Sequence, residues 1–477
     1  MKWAFLLVLL HDLSSWGIRL VMLYRIPRKH PPAAAMAWLL VVFFWPWPCL
    51  LIYLAIGTNV LPKKRLERHR ALMERLRDLH ANLRNYCCCT LEELPEEMED
   101  MVELASNLGH MLLVRGNRAR PFDRAEDFVS SLVADIDAAT TNVHLLYYIL
   151  VEDVLGKQVT DALLRAAGRG VRCRLLVDSV GSSAFLRKGA KALRKEGIEV
   201  RGALPVGLLR MLVSRFDLRN HRKIAVIDGN VAYSGSHNVV ESSYGHKNLR
   251  WEDISLRLMG PVVNQLQAVF LDDWYIDTEE FPDESDILIP QPEEGSLVMQ
   301  TVPSGPSYPT ENYQRLIVSA LYRARERVVI TTPYLVPDEA FLQGLEVAVL
   351  RGVQVQLIVP RKSDQFFVGN AARAYFDDLL RMGVEIYLFE KNLLHAKTMT
   401  VDQELAFFGS SNFDIRSFAL NFEVNHLLYG KEVTRVLRQK QESYLQVSTR
   451  LEKNSWEERS FPARLIQGIS KLLSPLL

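Results

Sequence analysis

The chain has 477 residues, a formal net charge of +1 and 48% apolar residues. That length accommodates two core-bearing units with extras, and the near-zero charge speaks against the basic surface that nucleic-acid binding needs. The five cysteines, Cys49, Cys87, Cys88, Cys89 and Cys173, are an odd number and lack zinc-ligand spacing with histidines, which argues against a disulfide framework and a zinc site.

Residues 1–62 read as a membrane anchor of two apolar segments. The second, 33–56 (AAAMAWLLVVFFWPWPCLLIYLAI), has no charge over 24 residues and is long enough to cross a bilayer. Trp38, Trp45, Trp47 and Tyr53 suit its interfaces, and Pro46 and Pro48 are expected to kink or interrupt a helix. The first, 3–24, is the weaker span because it carries His11, Asp12 and Arg19. A cleaved signal peptide is the alternative for this first segment. Lys63, Lys64, Arg65, Arg68 and Arg70 outnumber the cations between the segments, which places the C-terminal bulk in the cytoplasm behind a hairpin anchor. A re-entrant anchor is the other arrangement.

Residues 63–115 read as a charged helical connector. From 116 onward short apolar runs alternate with helical patterns. VHLLYYIL (143–150) is a buried strand, 158–170 a helix ending in Gly, and VRCRLLVD (171–178) another strand, which is βαβ grammar. The grammar then recurs: Arg169-Gly170-Val171 returns as Arg351-Gly352-Val353 after 182 residues, and Gly197-Ile198-Glu199-Val200 as Gly383-Val384-Glu385-Ile386 after 186. Markers in one order at nearly one offset mean an internal duplication. The expected architecture is α/β, with a first lobe at 116–278, an acidic Pro-rich linker at 279–300, and a second lobe at 301–477 that ends in an amphipathic helix. Two such lobes pack around a pseudo-two-fold axis. The helix places Leu465, Ile466, Ile469, Leu472, Leu473 and Leu476 on one face, which is expected to dock on the protein body rather than on a membrane. The stretch 203–220 (ALPVGLLRMLVSRFDLRN) fits equally a bilayer-facing element carrying Arg210, Arg215 and Arg219 or a buried connector.

The chemistry lies in a run that occurs twice: NHRKIAVIDGNVAYSGSHN at 220–238 and LHAKTMTVDQELAFFGSSN at 394–412. In each copy a strand leaves from the His and Lys, turns at an Asp, and returns with Gly-Ser-x-Asn. The first copy thus offers His221, Lys223, Ser236 and Asn238 to one spot, and the second His395, Lys397, Ser410 and Asn412. Asp228 and Asp402 sit in the turns and orient the hairpins. A single such motif describes an ordinary strand with surface charges, whereas two copies inside a duplicated unit describe one shared cavity. Two imidazoles, two ammonium groups and two carboxamides suit a phosphodiester: the cations and amides hold its oxygens, one His attacks phosphorus, and the other protonates the leaving oxygen. No metal and no cofactor are required. Asp253 and Glu423, downstream of the two copies, are candidate carboxylates for orienting the imidazoles. The remaining histidines, among them His11, His110, His237 and His246, read as ordinary, and Tyr147, Tyr148 and Tyr334 as core or wall.

At these residues the sequence resembles the phospholipase D superfamily, whose HxKxxxxD signature is matched in full by His221, Lys223 and Asp228 and by His395, Lys397 and Asp402. Within it the chain is similar to the bacterial cardiolipin synthases, through VHLLYYI, RNHRKIAVIDG, ITTPYLVPDE, LHAK, GSSNFDIRSFALNFE and the terminal LLSPLL. The resemblance implies transfer of a phosphatidyl group from one phosphatidylglycerol to another, giving cardiolipin and glycerol through a covalent phosphatidyl-histidine, in the inner membrane of a bacterium. His221 is favoured as nucleophile and His395 as acid/base. Two departures stand out: Ser236-His237 where a second Gly is common, which puts an extra imidazole near the site, and the Cys87–Cys89 run. The competing functions are a lipid hydrolase, a phosphatidyltransferase using another alcohol, a nuclease of the same superfamily, and a membrane scaffold. The lipid bilayer and phosphatidylglycerol are the expected partners, nucleic acid is not, and the sequence says nothing of oligomeric state.

Overall fold

The computed structural model describes residues 2–57, 61–87, 98–207, 215, 217–245, 249–282 and 291–474. The expectations for residues 208–214, Cys88, Cys89, His246 and Leu476 lie outside these. The chain divides into two compact units, residues 1–63 with 206–218, and the remainder.

In the first unit the apolar segments form helices Lys2–Arg25, Pro32–Phe44 and Pro46–Ile56. Met22, Ile26, Ala35, Val42, Cys49 and Tyr53 make its small core. The chain breaks at Trp45, because Pro46 has no N–H to continue the helix. Among the described residues, Lys2–Arg25 is the one helix long and apolar enough to cross a membrane, and the other two are shorter. The order expected from sequence is thus reversed. Arg19, counted against the first segment, donates from Nε and Nη2 to the Phe43 carbonyl at 3.1 and 3.0 Å, next to the break. A carbonyl near the interruption thereby gains a donor, and the guanidinium gains an acceptor.

The second unit is a mixed α/β body. Its first repeat contributes β1 (Val114–Phe122), β2 (Asn142–Tyr147), β3 (Arg172–Asp178), β4 (Glu199–Ala203), β5 (Arg219–Asn220), β6 (Ile224–Ile227), β7 (Val231–Gly235), β8 (Trp251–Glu252) and β9 (Ser255–Met259). The second repeat contributes β10 (Leu297–Ser304), β11 (Arg327–Thr331), β12 (Leu335–Val336), β13 (Gln354–Pro360), β14 (Glu385–Phe389), β15 (Leu393–Leu394), β16 (Thr398–Val401), β17 (Leu405–Gly409), β18 (Phe413–Asp414), β19 (Asn421–Tyr429) and β20 (Ser448–Arg450).

Among the described residues, one large sheet runs β20-β14-β13-β11-β16-β17-β19-β10-β1-β9-β7-β6-β2-β3-β4. Apart from β20, this order is palindromic about the antiparallel junction of β1 with β10. β4-β3-β2-β6-β7-β9-β1 on one side repeats as β14-β13-β11-β16-β17-β19-β10 on the other. The repeat extends to the backbone. Gly170 and Gly352 turn left-handed at φ 85° and 87°, and Gly197 and Gly383 at 82° and 98°, each just past a helix, where an L side chain would be strained.

β2 and β3 are buried almost throughout because helices Ala125–Ala138 and Val154–Gly168 cover one face, and helix Val262–Thr278 packs on the other. Helices Asn312–Arg323, Glu339–Leu350 and Phe366–Met382 enclose the corresponding core of the second repeat.

The C-terminal helix Phe461–Leu472 contradicts expectation. It packs on helix Phe366–Met382, but its polar residues face the body. Gln467 and Ser470 are buried, while Phe461, Leu465, Ile466, Ile469 and Leu472 are exposed. Ion pairing of Lys471 Nζ with Asp378 at 2.9 Å, and not apolar burial, helps to seat it.

Candidate active site

Each repeated motif folds as expected into a hairpin, β6–β7 and β16–β17, with three residues between the paired ends Ile227 and Val231 and between Val401 and Leu405. The turn aspartates take left-handed φ values of 51° and 48°. Their carboxylates do not reach the cavity. Asp228 accepts from the backbone N–H and hydroxyl of Thr140 and Thr141 and from the Asn142 N–H, at 2.8–2.9 Å. Asp402 accepts from the N–H groups of Arg325, Glu326 and Arg327 at 2.8–3.0 Å. Both therefore anchor the hairpin to the entry of the neighbouring strand, β2 or β11. Burial would raise the pKa of Asp228, but the surrounding donors reverse this and lower it.

The glycine ending each hairpin is a requirement of close approach. A Cβ on Gly235 would lie 2.5 Å from the Ile254 carbonyl oxygen, and one on Gly409 2.5 Å from that of Val424. The serines that follow brace the same neighbours. Ser236 Oγ donates to the Ile254 carbonyl at 3.0 Å, and Ser410 Oγ donates to Glu423 at 2.5 Å.

The two motifs then exchange partners. β5, leading into His221, runs parallel to the start of β19 in the other repeat, with Asn421 opposite Arg219 and Phe422 opposite Asn220. β15, leading into His395, pairs in the same way with β8, placing Leu393 opposite Trp251 and Leu394 opposite Glu252. The residue after each partner pair is a carboxylate, Glu423 or Asp253. His221 Nδ1 accordingly lies 3.0 Å from both Glu423 oxygens, and His395 Nδ1 lies 2.7 Å from Asp253 Oδ1.

Carboxylates only accept, so Nδ1 carries a proton in both rings, and Nε2 keeps its lone pair whenever the ring is neutral. Burial lowers the pKa of both imidazoles, against the opposing pull of Glu423 and Asp253. Burial works to raise both carboxylates, and their imidazole partners outweigh it. The rings are further fixed by aromatic neighbours, Tyr148 against His221 at 4.8 Å and Trp251 against His395 at 4.4 Å between centroids.

His221, His395, Asn238 and Asn412 line one cavity of about 430 Å³. Asn238 is held by its Oδ1, which accepts from the Ile149 N–H at 3.1 Å, so its amide donors remain for the cavity. Lys223 and Lys397 stand one layer behind. Each donates from Nζ to the carbonyl of its own motif histidine, at 2.7 and 2.5 Å. Burial lowers both ammonium groups, Lys397 to about 8.

Sequence reasoning missed Trp251, Arg219 and Arg416 as cavity residues. Arg219 is not a bilayer-facing cation: its guanidinium is 3.8 Å from Asp178. The one available signal was position, since Trp251 precedes Glu252-Asp253, Arg219 stands two before His221, and Arg416 sits within FDIRSF. His237 is not part of the cavity wall. It stacks on Phe128 at 5.0 Å and hydrogen-bonds Ser255 Oγ through Nδ1 at 3.0 Å. Among the described residues no cluster of three or more His, Cys, Asp or Glu could hold a metal ion.

Comparison with known proteins decides the family. A family described as cardiolipin synthase, PLD-like domain, matches residues 132–274 and 317–445, the two repeats. Cardiolipin synthase A of Cronobacter sakazakii is 35% identical over 99% of this chain and 98% of its own. That of Yersinia pseudotuberculosis is 36% identical over 94% of each. The chain belongs to the cardiolipin synthase family. This cardiolipin synthase homologue is therefore a phosphatidyltransferase, and its apolar N-terminal helix fits a membrane-associated protein. A phosphatidylserine synthase of Haemophilus influenzae shares the fold alone, with a TM-score of 0.61 at 13% identity, covering 80% of this chain and 100% of that one.

Proposed function

We propose that the protein joins two phosphatidylglycerol molecules into cardiolipin and releases glycerol, by two displacements at one phosphorus. The observation that carries this reading is the reciprocal pairing of His221 with Glu423 and His395 with Asp253, which leaves the Nε2 of each ring to one cavity.

In the first displacement His221 Nε2 attacks the donor phosphorus. The bond to the glycerol oxygen breaks, and His395, entering protonated, gives that oxygen its proton. Glycerol leaves and the phosphatidyl group stays on His221. In the second, His395 Nε2 takes the proton from a terminal hydroxyl of the acceptor lipid. That oxygen attacks phosphorus, the P–N bond breaks, and His221 returns to its starting form.

Glu423 offsets the positive charge that builds on His221 while its nitrogen is bonded to phosphorus, as Asp253 does for protonated His395. Lys223, Lys397 and the amides of Asn238 and Asn412 act on the charge of the phosphoryl oxygens. Asp228, Asp402, Ser236 and Ser410 hold the frame. The reading places the catalytic body on the cytoplasmic side of the bacterial inner membrane.

The test is labelled phosphatidylglycerol supplied in vesicles to the full chain. Cardiolipin with equimolar glycerol supports the proposal, together with a phosphatidyl adduct on the His221 peptide after rapid acid quench. Phosphatidic acid as sole product points to hydrolysis, and an adduct on His395 reverses the two roles.

A further inference from the structure

The C-terminal helix Phe461–Leu472 is built the wrong way round for a helix that merely packs on a protein. A surface helix turns its apolar stripe to the core. Here the stripe points out: Phe461 is 76% exposed, Leu465 52%, Ile469 49% and Leu472 81%, while Gln467 and Ser470 on the opposite side are 5% and 1% exposed. The seat is polar. Lys471 pairs with Asp378 and lies over the Tyr375 ring at 4.3 Å, and Gln467 accepts from Arg459 at 2.9 Å.

The helix on which it packs also carries exposed apolar side chains. Helix Phe366–Met382 starts with Phe366 and Phe367, 65% and 51% exposed. An exposed apolar surface contributed by two elements marks a contact to be made.

We propose that this surface is a bilayer contact belonging to the catalytic body, separate from the N-terminal helices, which holds the active-site cavity at the lipid surface. The cavity identifies the occupant. Gln365 and Val368, which flank the exposed phenylalanines, line it, and so does Ser474, two residues beyond Leu472. Both elements of exposed apolar side chains thus run directly into residues that line the place where substrate reacts. A lipid with two acyl chains does not leave the bilayer readily, because every methylene exposed to water adds to the cost. The reacting headgroup is therefore reached at the membrane surface, and apolar side chains sunk beside the cavity would hold it there. Exposed Arg464 lies on one flank of the stripe, as suits a helix resting on anionic lipid. This argument rests on the lipid-substrate reading above.

Two measurements on the full chain test it. First, the photocrosslinker p-benzoylphenylalanine replaces Leu472, with exposed Leu350 as the control position. In vesicles of labelled phosphatidylglycerol, Leu472 is expected to crosslink to lipid and Leu350 not. A crosslinked dimer in place of lipid would assign the surface to a second copy of this chain and overturn the proposal, as would equal lipid labelling at both positions. Second, Ile469→Asp combined with Leu472→Asp is expected to raise KM for vesicle phosphatidylglycerol about tenfold and to leave kcat on a soluble short-chain phosphatidylglycerol unchanged. Equal losses on both substrates would overturn it. Absence of cardiolipin from the unmodified protein would refute the reaction instead, and the crosslinking result does not depend on turnover.

Discussion

Glu423 lies 3.0 Å from the Nδ1 of His221, although the two are 202 residues apart and belong to different repeats. His395 and Asp253 make the reverse pair at 2.7 Å. Neither repeat completes its own imidazole.

Glu423→Gln keeps the shape of the pair but removes the charge that balances a positive ring. Turnover is expected to fall by about two orders of magnitude, with little change in Tm. Asp253→Asn is expected to behave alike, by symmetry. Steady-state kinetics beside thermal unfolding of both variants checks this, and unchanged turnover would remove the carboxylates from the mechanism.

The pH profile should be shifted at its acid end. The attacking ring must be neutral, and burial holds the His221 pKa below its ordinary 6.5. Activity is therefore expected to persist as pH drops below that value. Glu423 pulls the His221 pKa upward, so in Glu423→Gln the acid limb should move still lower. A move to higher pH would contradict the pairing.

At the alkaline end two groups lose a proton: His395, the acid of the first displacement, which burial lowers below its ordinary 6.5, and Lys397, which burial lowers to about 8. If its ammonium is needed, activity declines as pH rises through that value. Lys397→Arg keeps its charge across this range, so any surviving activity should lose the part of the alkaline limb near 8 and keep the part set by His395. An identical limb in this variant would assign it to another group.

Asp228 should matter through folding. Its pKa is lowered in the folded protein, so its contribution is complete above the ordinary 3.8 and is lost as pH falls through the folded value. Asp228→Ala leaves the Thr140, Thr141 and Asn142 donors without their acceptor, at a cost of about 1–3 kcal/mol. Denaturant unfolding at pH 7 should show that loss, and the gap to the parent should narrow as pH falls below 3.8. A variant with parental stability but no turnover would place Asp228 in the chemistry.

Much of this was legible in the sequence because local patterns carry it. The strand-turn-strand of each motif follows from alternation and from turns at Asp228 and Asp402, and the glycine repeats disclose the duplication. Asp253 and Glu423 were recognisable as candidate acids. Which histidine each would meet was not, because β5–β19 and β15–β8 are pairings between distant segments with no local signature. The same limit applies to the C-terminal helix: a period near 3.6 shows that Leu465, Ile469 and Leu472 share a face, but not what lies against it. Arg19 misled for a related reason. A charge in an apolar segment counts against a membrane span until its acceptor, here the Phe43 carbonyl, is seen.

The exchange of carboxylates between repeats also has a genetic consequence. A chain damaged at His221 and another damaged at His395 each retain half of the groups, yet neither has a spare intact site to lend. Mixing two such mutants in one cell should give no complementation, since every working centre draws on both halves of a single polypeptide.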